Sequence, residues 1–325
     1  MASASGDDKL RGKLIVLLGG SGFFGAHLAQ ELLSRGSRLR IASRHPERAF
    51  QLKPLGNLGQ VQFVRCDITD PASVSQALAG ADAVVNLVGA FAGNLDAVQG
   101  TGAGRIAAAA KTAGAAAFVH ISALGADLAS PTAYAQTKAA GEAAVLAAFP
   151  TATILRPSVL FGPDDKFINM FAGLIAALPV LPVFGPHAKF QPLLVDDAAG
   201  AAANALADPA NHGGKTYEIA GPEAISMLDL NRRIAAAQGR ERLFVPLPDF
   251  ASGGFAFATG WLPGAPLSTD QWLLLKAGNT ASGKLPGLKA LGITARPLEL
   301  FLTRWMVRYR KHGRFGSKAK ASSRA

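Results

Sequence analysis

Short apolar runs alternate with helix-like segments through the first 160 residues of this chain. The runs are continuous in Val, Ile and Leu, which is typical of strands buried on both faces of a parallel sheet. Because strand–helix–strand crossovers are right-handed, the pattern predicts an α/β fold with a doubly wound parallel sheet. The predicted strands lie at 13–19, 38–44, 61–67, 83–90, 117–126 and 152–162, and the predicted helices at 25–35, 71–79, 102–114 and 134–148.

The alternation ends near residue 161, beyond which Pro and Gly become frequent. We therefore predict a smaller and more irregular second lobe, to which residues 161–189 also contribute. The predicted organisation is a flexible N-terminus at 1–12, a sheet domain at 13–220, a C-terminal lobe at 221–303 and a basic tail at 304–325.

A glycine-rich turn joins the first predicted strand to the first predicted helix, with Gly19, Gly22 and Gly25 spaced three residues apart. Glycines at such a turn permit a tight bend, a close approach of the backbone to a pyrophosphate, and close packing of helix on strand. The helix N-terminus then offers its free N–H groups to the phosphates. The placement predicts a dinucleotide site that includes Ser21, Phe23 and Phe24 as well as the three glycines.

The end of the second strand predicts which dinucleotide is bound. An NAD site usually has an Asp or Glu here to accept hydrogen bonds from the ribose 2′-hydroxyl. This chain has Ser43 and Arg44 instead, and its first carboxylate after them is Glu47. An arginine pairs well with a 2′-phosphate, so we predict NADP(H) in preference to NAD(H). The alternative is that Arg44 is a solvated surface charge.

Together these motifs resemble the atypical or extended branch of the short-chain dehydrogenase/reductase superfamily, which has a Rossmann sheet. The stretch "CDITD" resembles the family's aspartate after strand three, and "NLVGA" resembles its strand-four motif. "AYAQTKAAGE" carries the family's Tyr-x-x-x-Lys, and "ILRPSVLFGP" is also typical of the branch. The resemblance implies cofactor contacts from Asp67, Ile68, Val88, Gly89, Ala90, Ile121, Tyr134, Lys138 and Pro157.

A closer resemblance is to the nucleotide-binding accessory subunit of respiratory complex I, its alpha-subcomplex subunit nine, and bacterial relatives. It rests on "HISALGAD", "KAAGEAAVLAAFPTATILRPSVLFGPDDKFINMFA" and "FQPLLVDDAA". This resemblance implies tightly held NADPH and a partnership with the quinone-reducing arm of complex I. The implied location is the inner face of the bacterial cytoplasmic membrane, or the matrix side of the mitochondrial inner membrane.

The resemblance also raises the question of catalysis. In the reductase mechanism of this superfamily Lys138 would bind the nicotinamide ribose and lower the pKa of Tyr134, which would exchange a proton with the substrate. The third member of the set would be Ser122, although active extended members generally place their hydroxyl where this chain has Ala123 and Leu124. The sequence is compatible with three hypotheses for the function: a subunit that only holds its cofactor, a free-standing reductase or epimerase of a small carbonyl or sugar substrate, and an NADP(H) redox sensor.

The tail combines an apolar stripe with a dense run of cations. Pro297 suits the first turn of a helix, and the apolar residues that follow recur at helical spacing, which predicts packing on the lobe. No acidic residue follows Glu299, so the cations predict docking on an anionic membrane surface or on an acidic partner. The stripe is Leu298, Phe301, Leu302, Trp305 and Tyr309, and the cations are Arg304, Arg308, Arg310, Lys311, Arg314, Lys318, Lys320 and Arg324.

Composition excludes several other functions. With 49% hydrophobic and 17% charged residues the chain is a well-buried globular protein. Cys66 is its one cysteine and its six histidines are scattered, so we predict no disulfide and no metal site. The N-terminus lacks an apolar run, and Pro179 and Pro182 interrupt the most apolar stretch, which argues against a signal peptide and a membrane span. The basic tail lacks a stacking platform, so nucleic acid is not an expected partner.

Overall fold

The computed structural model describes residues 8–259 and 268–313. Its strands are β1 Leu14–Leu18, β2 Arg38–Ser43, β3 Val61–Arg65, β4 Ala83–Asn86, β5 Ala117–Ile121, β6 Thr153–Pro157, β7 Leu160–Phe161, β8 Val180–Val183, β9 Lys189–Phe190, β10 Leu193–Leu194, β11 Thr216–Ile219, β12 Ile225–Ser226 and β13 Leu243–Pro246.

The α-helices are α1 Phe23–Ser34, α2 Pro71–Leu78, α3 Leu95–Gln99, α4 Thr101–Thr112, α5 Ala133–Ala148, α6 Phe167–Ala177, α7 Val195–Ala207, α8 Pro209–His212, α9 Met227–Gln238, α10 Asp249–Thr259, α11 Thr269–Ala277 and α12 Glu299–Trp305. Short 3₁₀ helices lie at Pro46–Leu55, Leu288–Leu291 and Met306–Tyr309. Within the described ranges no helix combines the length and the apolar composition needed to cross a bilayer.

The chain divides into two compact units. The first contains the described residues up to Pro157 together with Val195–Ile219 and Ala281–Thr294. The second contains Ser158–Leu194, Ala220–Thr280 and the described residues from Ala295 onward. Thus the segment 281–294, which the sequence analysis assigned to the C-terminal lobe, returns to the first unit.

The first unit is built on a seven-stranded sheet in the order β11-β6-β5-β4-β1-β2-β3, in which every neighbouring pair is parallel. The predicted doubly wound parallel sheet is therefore confirmed. Alternate residues of a strand point to opposite faces. Val16 and Leu18 of β1 face a core that also contains Val74 of α2, Ile106 of α4 and Val145 of α5. Helices α1 and α7 pack against each other and form the other helical layer.

The strand β11 was not among the six predicted. Its sequence "TYEI" is short and includes a charged residue, so it lacks the continuous apolar run that identified the other strands. It pairs in parallel with β6, and the carboxylate of Glu218 accepts hydrogen bonds from the backbone N–H and the hydroxyl of Ser282. Tertiary pairing thus supplies the partners that allow this carboxylate to be buried.

The second unit has its own apolar core, formed by α6, α9 and α12. Ile168 and Ile175 of α6 and Leu230 of α9 are buried there, together with Leu298 and Leu302. The remaining apolar residues predicted for the tail stripe are partly buried and pack on the same core; they are Phe301, Trp305 and Tyr309. Residues 304–309 therefore belong to the end of α12 and the 3₁₀ helix after it, which pack on this core, while residues 314–325 of the predicted tail lie outside the described ranges.

Candidate nucleotide site

The sheet order brings the predicted site residues to one edge of the first unit. Strands β2 and β4 flank β1, so the topology reverses direction between β1 and β4. In open α/β sheets, ligands bind beyond the carboxyl ends of the strands at such a switch point. Except for the helix α5, every predicted cofactor-binding segment lies at or directly after the carboxyl end of a strand in this sheet: β1, β2, β3, β4, β5 or β6.

The glycines of the turn after β1 have different structural roles. Gly19 has φ +78°, a left-handed conformation that side chains rarely adopt, and its N–H donates to Ala42 O at 2.8 Å. A Cβ on Gly25 would stand 2.5 Å from Gly20 O, so glycine is required there for helix α1 to approach the turn. Both residues shape the protein backbone itself.

Gly22 has a different environment. It is exposed and forms the N-cap of α1, with no side-chain hydrogen bond capping the helix. A Cβ built on it would meet only Gly19 O, at an ordinary contact distance of 3.4 Å. A helix start without a side-chain cap leaves N–H groups for an anion. The side chains of Ser21, Phe23 and Phe24 are half-buried beside this opening, which fits a pyrophosphate.

The ends of β2 and β3 contain the residues expected at the adenosine end of the cofactor. The hydroxyl oxygen of Ser43 is buried without a hydrogen-bond partner among the described residues, whereas Arg44 is exposed. Asp67 accepts hydrogen bonds from the N–H and hydroxyl of Thr69, which lower the pKa of its carboxyl, and the charge of Arg44 acts in the same direction. Ile68 is half-buried beside them. A buried unpartnered hydroxyl next to an exposed guanidinium fits a phosphate-bearing ribose.

The loop after β4 is shaped by side chains that the sequence analysis did not identify. Asn86 Oδ1 accepts from the N–H of Val88, and Asn86 Nδ2 donates to Nδ1 of the buried His120. Gly89 is exposed, and the N–H of Ala90 donates to Oε1 of Gln99 at 3.1 Å. Asparagine or histidine inside an apolar strand is the only signal that could have indicated this network.

Helix α5 holds the Tyr-x-x-x-Lys pair. Lys138 is buried, and its Nζ donates to the carbonyl oxygen of Ile121 at the end of β5, at 3.1 Å. Burial lowers the pKa of Lys138 to about 8, while the nearby carboxylate of Glu142 acts in the opposite direction. Glu142 in turn accepts two hydrogen bonds from the guanidinium of Arg156, at 2.8 and 2.6 Å. The strand end and the helix are thus connected through this lysine.

Tyr134 is held differently from its partner lysine. Its ring is half-buried and stacks on Phe91, with centroids 4.6 Å apart and planes 11° apart. Burial raises the pKa of Tyr134 to about 12, so the hydroxyl keeps its proton at neutral pH. The hydroxyl oxygen of Ser122 is buried without a hydrogen-bond partner among the described residues, and Pro157 O accepts from the N–H of Leu124. These groups can hold a ribose or an amide, but among the described residues no charge acts to lower the pKa of Tyr134.

The buried His120 should make the fold sensitive to acid. Burial lowers its pKa from 6.5 to about 3, and the charge of Lys138 acts in the same direction. Between these values the unfolded chain binds a proton that the folded chain does not, so stability falls as the pH falls below 6.5. We expect the free energy of unfolding to fall by about 2 kcal/mol between pH 6.5 and pH 5 from this residue alone.

Chemical denaturation at both pH values measures this loss. The variant His120→Asn should lose less stability over the interval, because it has no imidazole to protonate. The same substitution at the exposed His187 serves as the matched control. Equal pH dependence of His120→Asn and the wild type would contradict the prediction.

Comparisons with known proteins agree with this geometry. Residues 19–169 match the family model described as NAD(P)H-binding. The chain is 31% identical over 315 residues to NADH dehydrogenase [ubiquinone] 1 alpha subcomplex subunit 9, mitochondrial, of Mus musculus, covering 94% of this chain and 83% of the mouse protein. It is 33% identical over 190 residues to ceramide reductase of Caulobacter vibrioides, covering 57% of this chain and 58% of that protein.

Among solved structures, the NADPH-dependent quinone oxidoreductase QOR2 of Escherichia coli, complexed with NADPH, superposes with a TM-score of 0.71 at 22% identity, covering 89% of this chain and 99% of that one. This likeness supports the fold. Fold and matched domain together define a protein with a parallel Rossmann-type sheet that carries an NAD(P)H-binding domain match. Within that class, the chain belongs to the family of NADH dehydrogenase [ubiquinone] 1 alpha subcomplex subunit 9. The resemblance stated from the sequence is confirmed at this level.

Proposed function

We propose that this protein is an NADP(H)-binding accessory subunit of respiratory complex I in which the cofactor has a structural role. The observation that carries the proposal is the similarity to a complex I subunit along 94% of the chain, which includes both units. A partner of the quinone-reducing arm and a position at the inner face of the membrane belong to the same proposal.

The site supports holding a cofactor in preference to turning over a substrate. Gly22 leaves the start of α1 open for a pyrophosphate, and Ser43 and Ser122 have buried hydroxyls free to bond a ligand. A bound nicotinamide would supply hydride chemistry. The residues needed to use it are less suited, since a pKa of about 12 makes the Tyr134 hydroxyl a weak proton donor at neutral pH. Lys138 Nζ donates a hydrogen bond to the carbonyl oxygen of Ile121, and the same ammonium would donate to the ribose hydroxyls of a bound cofactor.

Two measurements on the native protein test this proposal. Membranes solubilised in mild detergent and separated on a native gel should show this chain migrating with NADH dehydrogenase activity. The purified chain, denatured and analysed by mass spectrometry, should release NADP(H) without any having been added. Migration as a small free species together with an absence of cofactor would contradict the proposal.

A free-standing reductase is the second candidate, favoured by the Tyr134–Lys138 pair and by the similarity to a ceramide reductase. Here Tyr134 would donate the proton and Lys138 would hold the nicotinamide ribose. NADPH oxidation that depends on an added carbonyl substrate, and that Tyr134→Phe abolishes, would favour this candidate. Unaltered NADPH consumption in Tyr134→Phe would exclude this role for the tyrosine.

The second unit carries surfaces suited to docking. In the paired strands β8 and β13, Val180 lies beside Leu243 and Pro182 beside Val245, and all four are exposed.

Two cations of the predicted tail have partners within the second unit: Arg308 donates to Pro163 O and Asn169 Oδ1, and Arg310 donates to Ala237 O. Four predicted docking cations lie outside the described residues: Arg314, Lys318, Lys320 and Arg324.

We expect replacement of those four cations by Gln to release the protein from membranes. Each Lys or Arg near an anionic surface contributes about 1 kcal/mol, and high salt should weaken wild-type attachment. The charge-conserving control exchanges Lys for Arg and Arg for Lys at the same positions and should sediment like the wild type. Removing the whole tail after Thr303 is a poorer test, because it deletes the buried Met306 and the packed Trp305. Sedimentation of the Gln variant with membranes and complex I activity would show that these cations are not the tether.

A further inference from the structure

Gln99, the last residue of α3, is a fully buried polar residue to which the sequence motifs assign no role. Its Oε1 accepts from the N–H of Ala90 at 3.1 Å, and its Nε2 donates to Oγ1 of Thr137 at 2.9 Å. Both ends of the amide are therefore bonded, one to the loop after β4 and one to helix α5. A buried amide with both ends satisfied fixes the two elements that it joins.

The backbone at Gln99 is held as firmly as its side chain. A Cβ on Gly141 would stand 2.0 Å from Gln99 O, so α5 approaches this residue at a distance that only glycine permits. Thr137, which accepts from the amide, itself donates to Ala133 O at 2.7 Å within α5. The backbone of Gln99 is thus fixed against α5, and its side chain reaches from there to the loop after β4.

This bridge lies beside the lysine of the Tyr-x-x-x-Lys pair. The point where a Cβ of Gly89 would stand is 3.3 Å from Nζ of Lys138 and 3.7 Å from Oε1 of Gln99. Gly89 precedes the residue whose N–H is bonded to Gln99. The position of the exposed Gly89 backbone relative to the ammonium of Lys138 is consequently set through Gln99.

We infer that Gln99 is a positioning residue that sets the loop after β4 against Lys138 and so determines affinity for the nicotinamide-ribose half of the cofactor. The inference rests on the proposed function, because it requires NADPH to occupy this site. It assigns no role to Gln99 at the adenosine half, which would be held by the ends of β2 and β3. The two halves of the ligand should therefore respond differently to a change at Gln99.

The test compares NADPH with adenosine 2′,5′-bisphosphate, which contains only the adenosine half. Gln99→Met keeps the length of the side chain and removes both hydrogen bonds. Thr137→Val removes one bond at the half-buried helix side, and Thr137→Ser keeps the hydroxyl as the matched control. We expect Gln99→Met to raise the Kd for NADPH at least tenfold and Thr137→Val to raise it severalfold, with Thr137→Ser unchanged. The Kd of the fragment should change less than twofold in all three.

The outcomes separate the inference from the proposed function. If the affinities for NADPH and for the fragment fall equally, the variants damage the fold in general. If the affinity for NADPH is unaltered in Thr137→Val and Gln99→Met, Gln99 has no positioning role. Either result overturns the inference and leaves the proposed function standing. If Gln99→Met does not fold, the comparison of Thr137→Val with Thr137→Ser decides, by the change in the Kd for NADPH relative to the change in the Kd for the fragment. A wild-type chain that binds neither NADPH nor the fragment overturns the proposed function, and the inference with it.

Discussion

The variant Gly22→Val should fold but lose NADPH binding. A Cβ at Gly22 meets only Gly19 O at 3.4 Å, and the residue has φ −82° and ψ 174°, which valine adopts readily. The larger side chain would occupy the opening at the start of α1, where the pyrophosphate must approach the backbone. After removal of any nucleotide that copurifies, calorimetric titration should detect no binding at concentrations that saturate the wild type.

The same variant should also lose the stabilisation that the cofactor gives. A ligand at a hundredfold excess over its Kd stabilises the folded state by about 2.7 kcal/mol, and Gly22→Val should show no such rise in Tm when NADPH is added. Gly173→Val is the matched control, since a Cβ there meets nothing within 4 Å and its helix α6 lies in the other unit. Gly25→Val should fail differently, by disrupting the turn itself. Retention of NADPH by Gly22→Val would refute the assignment of this turn.

The variant Arg44→Asp should reverse the proposed preference for NADPH over NADH. Arg44 is exposed at the end of β2, beside the buried unpartnered hydroxyl of Ser43. Hydrogen bonds to charged groups contribute about 1.5–3 kcal/mol, so loss of the proposed pairing with a 2′-phosphate should weaken NADPH binding by about 10- to 100-fold. The new carboxylate would repel that phosphate and accept from a ribose 2′-hydroxyl, which should strengthen NADH binding.

Arg48→Asp makes the same charge change four residues further on, at another exposed position, and should leave the preference unchanged. Calorimetry with both cofactors on the wild type and the two variants measures the ratio directly. Equal affinity of the wild type for NADPH and NADH would exclude the proposed role of Arg44, whatever the variants do.

The sheet could be predicted because its strands carry their signal locally. Runs such as "LIVLL" in β1 and "AFVHI" in β5 are apolar on both faces, so burial follows from the sequence alone. The strand β11 carries no such run and is defined by its pairing with β6. The segment 281–294 likewise returns to the first unit through contacts distant in sequence, including those of Ser282 with Glu218.

The sequence by itself determined the fold class and the position of the glycine turn, because periodicity and motif spacing are local properties of the chain, and its motifs resemble the family that the comparisons confirm. Only the tertiary structure decided the different surroundings, and so the different roles, of these glycines. It distinguished Gly22, open to a ligand, from Gly25, closed by the backbone of Gly20. It also connected Gln99 to Thr137 across 38 positions and buried Lys138 against Ile121. Such contacts depend on which surfaces meet when helices pack on the sheet, and the burial that results sets both the hydrogen-bond partners and the pKa values of the site.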